Sequence, residues 1–292
     1  VHSAPLYHGY EITSGTGTDA FGVVYVGGND GMLHAFYAGI SKTDPENGKE
    51  LFAFVPNRVF PNLSSLTLAD YNHKFFVDAT PHVRDTGVSK ALTDGTGTEK
   101  ILVGGHGRGG RGYFSLDVSD PKNNTEANAD EWVLWEYPRA STDSDENDHM
   151  GFSYSQPVVV KSNDRSHPWV VIFGNGYDSP SQCASLVVLD AETGEKLNVI
   201  ETNRCECNGL SGVLPVDVDG DAKVDYVYAG DLRGNLWKFD LTNESSSKWR
   251  SRYRDGSNNP QPLFTAKGPD ETKTQPITIT PSIMKHPNGG DP

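Results

Sequence analysis

The sequence predicts an all-β chain arranged as a modified β-propeller, and three observations carry that expectation. Helical periodicity is scarce, while short runs rich in Val, Ile, Leu, Phe and Tyr recur between Gly, Asn, Asp and Pro. The runs are also self-similar: VVYVGGNDGMLHAFYA, ILVGGHGRGGRGYFSLDVSDP, WVVIFGNGYDSPSQCASLVVLDAETG and YVYAGDLRGNLWKFDLTN each read as strand, Gly-rich turn, strand and polar turn. Leu33, Tyr113, Leu186 and Leu236 take matching places in them, three residues before Phe36, Leu116, Leu189 and Phe239. Finally, groups of four strands recur at irregular intervals of roughly fifty to eighty residues, the pattern of propeller blades with variable insertions. A sandwich has no need of one hairpin repeated in register.

Each unit can be followed along the chain. Before three of the hairpins stands a strand that opens with proline, in ATPHVRD, SQPVVVK and LPVDVDG, around Pro81, Pro157 and Pro215. Proline suits a first strand residue, where a missing N–H costs little. After each hairpin a further strand is expected, in ELFAFVP, EWVLWEYP, KLNVIET and PLFTA. These elements make one propeller domain over residues 1–292, with units near 78–136, 155–202 and 213–265 and a partial unit at each end. The last partial unit opens at Pro281 in ITPSIMKHP. The chain starts without Met and stops at Gly289-Gly290-Asp291-Pro292, so it is expected to be a fragment of a longer protein.

Composition narrows the function. A chain of 292 residues has ample length for a core, and its formal net charge of −14 argues against a general nucleic-acid grip. An acidic surface suits divalent cations instead. No run approaches the roughly twenty apolar residues needed to span a bilayer, and the start VHSAPLYHGY lacks the features of a secretory signal. The three cysteines lie within one segment, without zinc-site spacing. A disulfide from Cys183 to Cys205 or to Cys207 is expected if the protein is exported.

The strongest chemical signal is DVDGDAKVD, from Asp217 to Asp225. Ca²⁺ takes six to eight oxygen ligands, and acidic loops supply them from positions 1, 3, 5, 7 through a carbonyl, and 9. Asp217, Asp219, Asp221 and Asp225 fall on 1, 3, 5 and 9, and the carbonyl of Lys223 falls on 7. Ala222 stands where an EF-hand has glycine, and Tyr228 where it has its bidentate Glu, so the scaffold is a different one. In the repeat this loop is the turn between the first two strands of one unit. RDTGVSKALTDGTGTEK and KSNDRSHP take that place in the two units before it.

DVDGDAKVDYVYAGDLRGNLWKFDL, taken with VVYVGGNDGMLHAFYA, resembles the C-terminal propeller of type IV pilus tip-associated proteins of the PilY/PilC type. The hairpin GGNDGMLHAF is shared with quinoprotein-like propellers. The calcium loop running into YAGDLRGNLWKFD is the specific part. The resemblance implies a non-enzymatic propeller with Ca²⁺ held by Asp217, Asp219, Asp221, Lys223 and Asp225. It implies a role in pilus extension and retraction and in surface adhesion. It also implies an exported protein at the pilus tip, outer membrane or cell surface, whose partners are minor pilins and host or abiotic surfaces. The Arg-Gly-Asp tripeptide of some members is missing, and RGGRG at Arg108 to Gly112 is not equivalent.

Other features carry less. Asp143, Asp145, Asn147 and His149 alternate in STDSDENDHMGFS and offer a second cation loop, against a solvated insertion. HGRGGRG offers backbone N–H groups and two Arg side chains to an anion, against a plain glycine hairpin. Trp132, Trp135, Trp169 and Trp237 are expected in strands, packing between blades. Two alternatives to a pilus propeller stand: a quinone-cofactor-dependent dehydrogenase, and a carbohydrate-binding adhesive propeller.

Overall fold

The computed structural model describes residues 2–14, 17–86, 100–139, 144–269 and 271–284. Nearly all regular structure in it is antiparallel sheet. The chain divides into two compact units, Val1–Ala140 with Glu192–Gly194, and Ser141–Ala191 with Glu195–Pro292.

In the first unit, β1 (Leu6–Ser14), β2 (Gly17–Gly27), β3 (Leu33–Gly39) and β4 (Glu50–Phe54) form a four-stranded meander. This stretch was expected to hold only a partial unit. Its extra strand, LYHGYEITS, is too rich in Gly, His, Thr and Ser to announce itself, yet it pairs with β2 along its whole length. A short helix α1 (Phe60–Leu63) follows. Next come β5 (His82–Asp85), β6 (Lys100–Gly105), β7 (Tyr113–Asp117) and β8 (Val133–Tyr137), again in sequential order. Trp132 does not lie in a strand but ends helix α2 (Ala129–Trp132), where it packs on Phe52 and Phe54. The connection RDTGVSKALTDGTGTEK falls largely outside the described residues.

The second unit begins with helix α3 (Ser144–His149). Its first sheet is β9 (Val158–Lys161), β10 (Trp169–Gly174), β11 (Ser185–Asp190) and β12 (Lys196–Glu201). Its second is β13 (Leu210–Val216), β14 (Tyr226–Asp231), β15 (Asn235–Asp240) and β16 (Arg250–Ser251). A small hairpin of β17 (Tyr253–Arg254) and β18 (Pro260–Gln261) interrupts this sheet before β19 (Phe264–Thr265) returns to pair with β15. The fourth strand expected at PLFTA is therefore divided between β16 and β19. Pro81 and Pro157 precede their strands as expected, whereas Pro215 lies inside β13, opposite Val227. It is tolerated because β13 is an edge strand.

The matching positions of the sequence repeat occupy one register. Leu33, Tyr113, Leu186 and Leu236 each pair with a glycine at or next to the end of the preceding strand: Gly27, Gly105, Gly174 and Gly230. Every residue of β10 and β11 is buried, which explains their unbroken apolar runs. Trp237 and Phe239 are fully buried in the core of the second unit, as Tyr25, Leu33 and Phe114 are in that of the first. Each such side chain contributes at most about 1.5–3 kcal/mol. Among the described residues no helix is long and apolar enough to cross a membrane.

Candidate metal centre

The acidic run joins β13 to β14 as a loop that folds on its own carboxylates. Asp217 accepts from the backbone N–H groups of Gly220 (2.7 Å) and Ala222 (2.8 Å), and Asp219 accepts from Asp221 N–H (3.0 Å). Such side-chain turns replace strand hydrogen bonds over short polar stretches. Two residues take the left-handed conformation, Gly220 at φ +86° and Ala222 at φ +69°. Ala222 thus adopts the left-handed backbone that glycine adopts without steric cost, and does so at an expense of roughly 1 kcal/mol.

One carboxylate oxygen each from Asp217, Asp219 and Asp225 lies within 4.8 Å of the others. Asp217 and Asp219 are exposed, while Asp225 is only 8 % exposed. One oxygen of Asp225 accepts from Val218 N–H at 2.8 Å. Asp221 stands apart from this group: its Oδ1 accepts from Lys223 N–H and its Oδ2 from Lys223 Nζ, each at 2.8 Å. That bond and the ammonium charge hold the Asp221 carboxyl below its ordinary range and the Lys223 ammonium above its own.

The far side of the loop is tied to the neighbouring sheet. Val224 N–H donates to Lys161 O (2.9 Å), and the Asn163 amide donates to Val224 O (2.9 Å) and Leu241 O (3.2 Å). Asn163 belongs to the KSNDRSHP connection, and no spacing in the sequence marked it. The ligand side of the loop therefore faces solvent while its return half is fixed.

The other candidates fare differently. Asp143 lies outside the described residues, and Asn147 and His149 lie on α3, where alternate residues diverge instead of converging on an ion. HGRGGRG is a closed hairpin, with His106 N–H on Gly112 O and Gly109 N–H on His106 O, and Arg108 lies over the Phe75 ring. Cys183 is bonded to Cys205, leaving Cys207 as an exposed thiol. The loop reaches across Cys183: Asn208 N–H bonds Gln182 O on one side of it and Thr202 N–H bonds Ala184 O on the other.

Repeated four-stranded meanders in one register, with an acidic loop between the first two strands of one sheet, define a β-propeller carrying a candidate cation loop. The PilY1 beta-propeller domain model matches residues 8–290, and the chain belongs to that family. It is 38 % identical over 278 residues to a type IV pilus biogenesis factor PilY1 homolog of Xylella fastidiosa, covering 91 % of this chain and 17 % of that protein. It is 39 % identical over 285 residues to the type IV pilus biogenesis factor PilY1 of Pseudomonas aeruginosa strain UCBPP-PA14, covering 91 % of this chain and 22 % of that protein. The crystal structure of the Pseudomonas aeruginosa PilY1 C-terminal domain superposes with a TM-score of 0.69 at 34 % identity, over 92 % of this chain and 50 % of that one. The chain thus spans about a fifth of the length of these curated relatives.

Proposed function

We propose that this chain is the calcium-binding, non-enzymatic propeller of a type IV pilus biogenesis factor. The observation that carries the proposal is the convergence of Asp217, Asp219 and Asp225, the last of them nearly buried. Carboxylates so close repel one another, and burial of Asp225 deepens that cost. A hard divalent cation relieves it, and Ca²⁺ suits an oxygen-only donor set in a short adaptable loop. Asp217, Asp219 and Asp225 would hold the ion, joined by the Lys223 carbonyl and by Asp221 once that side chain turns inward. The ion would supply charge neutralisation and a fixed loop shape.

In the full-length protein the loop serves pilus biogenesis, biasing the balance of extension and retraction, and the propeller contributes to adhesion. Minor pilins and host or abiotic surfaces are its partners, and its location is the pilus tip, outer membrane or cell surface. The relatives' names and the family support the part of this reading that concerns type IV pilus biogenesis. Calorimetry with Ca²⁺ on the purified chain tests the site. Asp217→Asn keeps the side chain's shape while removing its charge, and it is expected to weaken binding about tenfold or more, which is ~1.4 kcal/mol. No heat from the unaltered chain, or an unchanged affinity in the variant, refutes the calcium site. In a piliated strain lacking the gene, the full-length Asp217→Asn protein is expected to restore piliation less well than the unaltered protein.

A further inference from the structure

The four aspartates of the loop are not equivalent. Three gather within 4.8 Å, while the fourth, Asp221, has both carboxylate oxygens engaged by one residue, Lys223, through its backbone N–H and its ammonium. Asp225, 8 % exposed, lies within the group, and its Oδ2 accepts from Val218 N–H. A largely buried carboxylate set against two further carboxylates is a place for positive charge. The lysine within the loop is bonded outside the group. Lys223 Nζ goes to Asp221 instead.

We propose that Lys223 is an internal competitor of the ion, holding the fourth carboxylate out of the site so that Asp221 joins only when a divalent cation draws it from the ammonium. This rests on the calcium reading above. The hold is weak by construction. The two side chains are 44 % and 39 % exposed, and ion pairs of that kind are loose and screened by salt. Lys223 thereby sets the affinity of the loop without closing it, and raises the Ca²⁺ concentration at which the loop fills. The loop gains its last carboxylate only in the presence of the ion.

The ammonium would also weaken binding by simple repulsion, and a double-variant cycle separates the two effects. Ca²⁺ affinity is measured by calorimetry for the unaltered chain, Lys223→Gln, Asp221→Asn and the double variant, at low salt and in 0.5 M KCl as the conditions chosen for screening. Lys223→Gln is expected to tighten binding about three- to fivefold at low salt, the scale of an exposed pair. In the Asp221→Asn background the same change is expected to alter affinity by less than about twofold, and high salt is expected to shrink the gain in both. Equal tightening in both backgrounds overturns the competitor role, because Lys223 would then act through its charge alone. No tightening in either also overturns it. No binding by the unaltered chain defeats the calcium reading and this inference together, whereas binding with an unaltered cycle defeats only the inference.

Discussion

Asp231 is fully buried, and a bare carboxylate there would be untenable. It receives five hydrogen bonds instead. Oδ1 takes the backbone N–H groups of Arg233 and Asn235, and Oδ2 takes Asn208 Nδ2, Asn235 Nδ2 and Trp237 Nε1, all between 2.8 and 3.0 Å. This one side chain closes the β14–β15 turn and orients the fully buried Trp237. Asp231 and the loop aspartates show different uses of one residue type: the first is satisfied singly by five protein donors, and the second group, with only one or two backbone donors each, is gathered carboxylate against carboxylate. Asp231→Ala strands several buried donors, so it is expected to cost about 3–5 kcal/mol in urea unfolding. A loss below about 1 kcal/mol would show that water replaces the carboxylate and that the network is not structural.

Between residues and sheets, the repeat acquires a physical cause. In three of the four sheets the glycine at or next to the end of the second strand lies beneath the chain arriving from another element: a Cβ on Gly27 would sit 2.3 Å from Val77 O, one on Gly174 2.2 Å from Ser211 O, and one on Gly230 2.3 Å from an Ile277 methyl. That close approach is why YVGG, IFGN and YAGD recur, and it was legible in the sequence as a pattern though not as a contact. Gly174→Ala would force two backbones apart, and a loss of about 2–3 kcal/mol is expected. Gly9→Ala, where a Cβ meets nothing within 4 Å, is the control and is expected to stay within about 0.5 kcal/mol. Equal unfolding midpoints for the two variants would sink the close-approach account. The pairing of third and fourth strands was also half legible. It slips at Ala35/Phe36, Ser115/Leu116 and Val188/Leu189, the repeat positions themselves, and in the last sheet the same place opens into residues 252–263 between β16 and β19. Two-residue strands carry no periodicity, so Arg250–Ser251 could not be found from sequence. At the candidate site, the alternating aspartates were visible, but the capture of Asp221 by Lys223 depends on loop conformation, as does the choice of Cys205 over Cys207.

For the molecule as a whole, the formal charge of −14 suggests that mild acid, by relieving repulsion, should stabilise it. Three of the histidines argue the reverse. Burial pushes His82 down to about 4, with Arg84 adding to the effect. Burial likewise pushes His106 to about 4, helped by Arg58 and opposed by a hydrogen bond to the Phe76 backbone. His8 is also lowered, burial outweighing the attraction of Asp85. Between the ordinary histidine value near 6.5 and a folded value near 4, the unfolded chain binds protons that the folded chain refuses. Stability is therefore intact above about pH 7 and falls as pH drops through that window. Carboxylates near their usual value of about 4 are still mostly ionised at pH 5, so relief of repulsion arrives later. Glu136, raised by burial, and His34, raised because burial is outweighed by the hydrogen bonds and charges of Glu50 and Asp30, work in the opposite sense. From pH 7.5 to 5, His82 and His106 are each expected to remove about 2 kcal/mol of unfolding free energy. Urea unfolding across that interval should show the decline, and His82→Gln should flatten it by about 2 kcal/mol. Parallel profiles for the variant and the unaltered chain would mean that His82 is protonated in the folded state and that acid acts elsewhere.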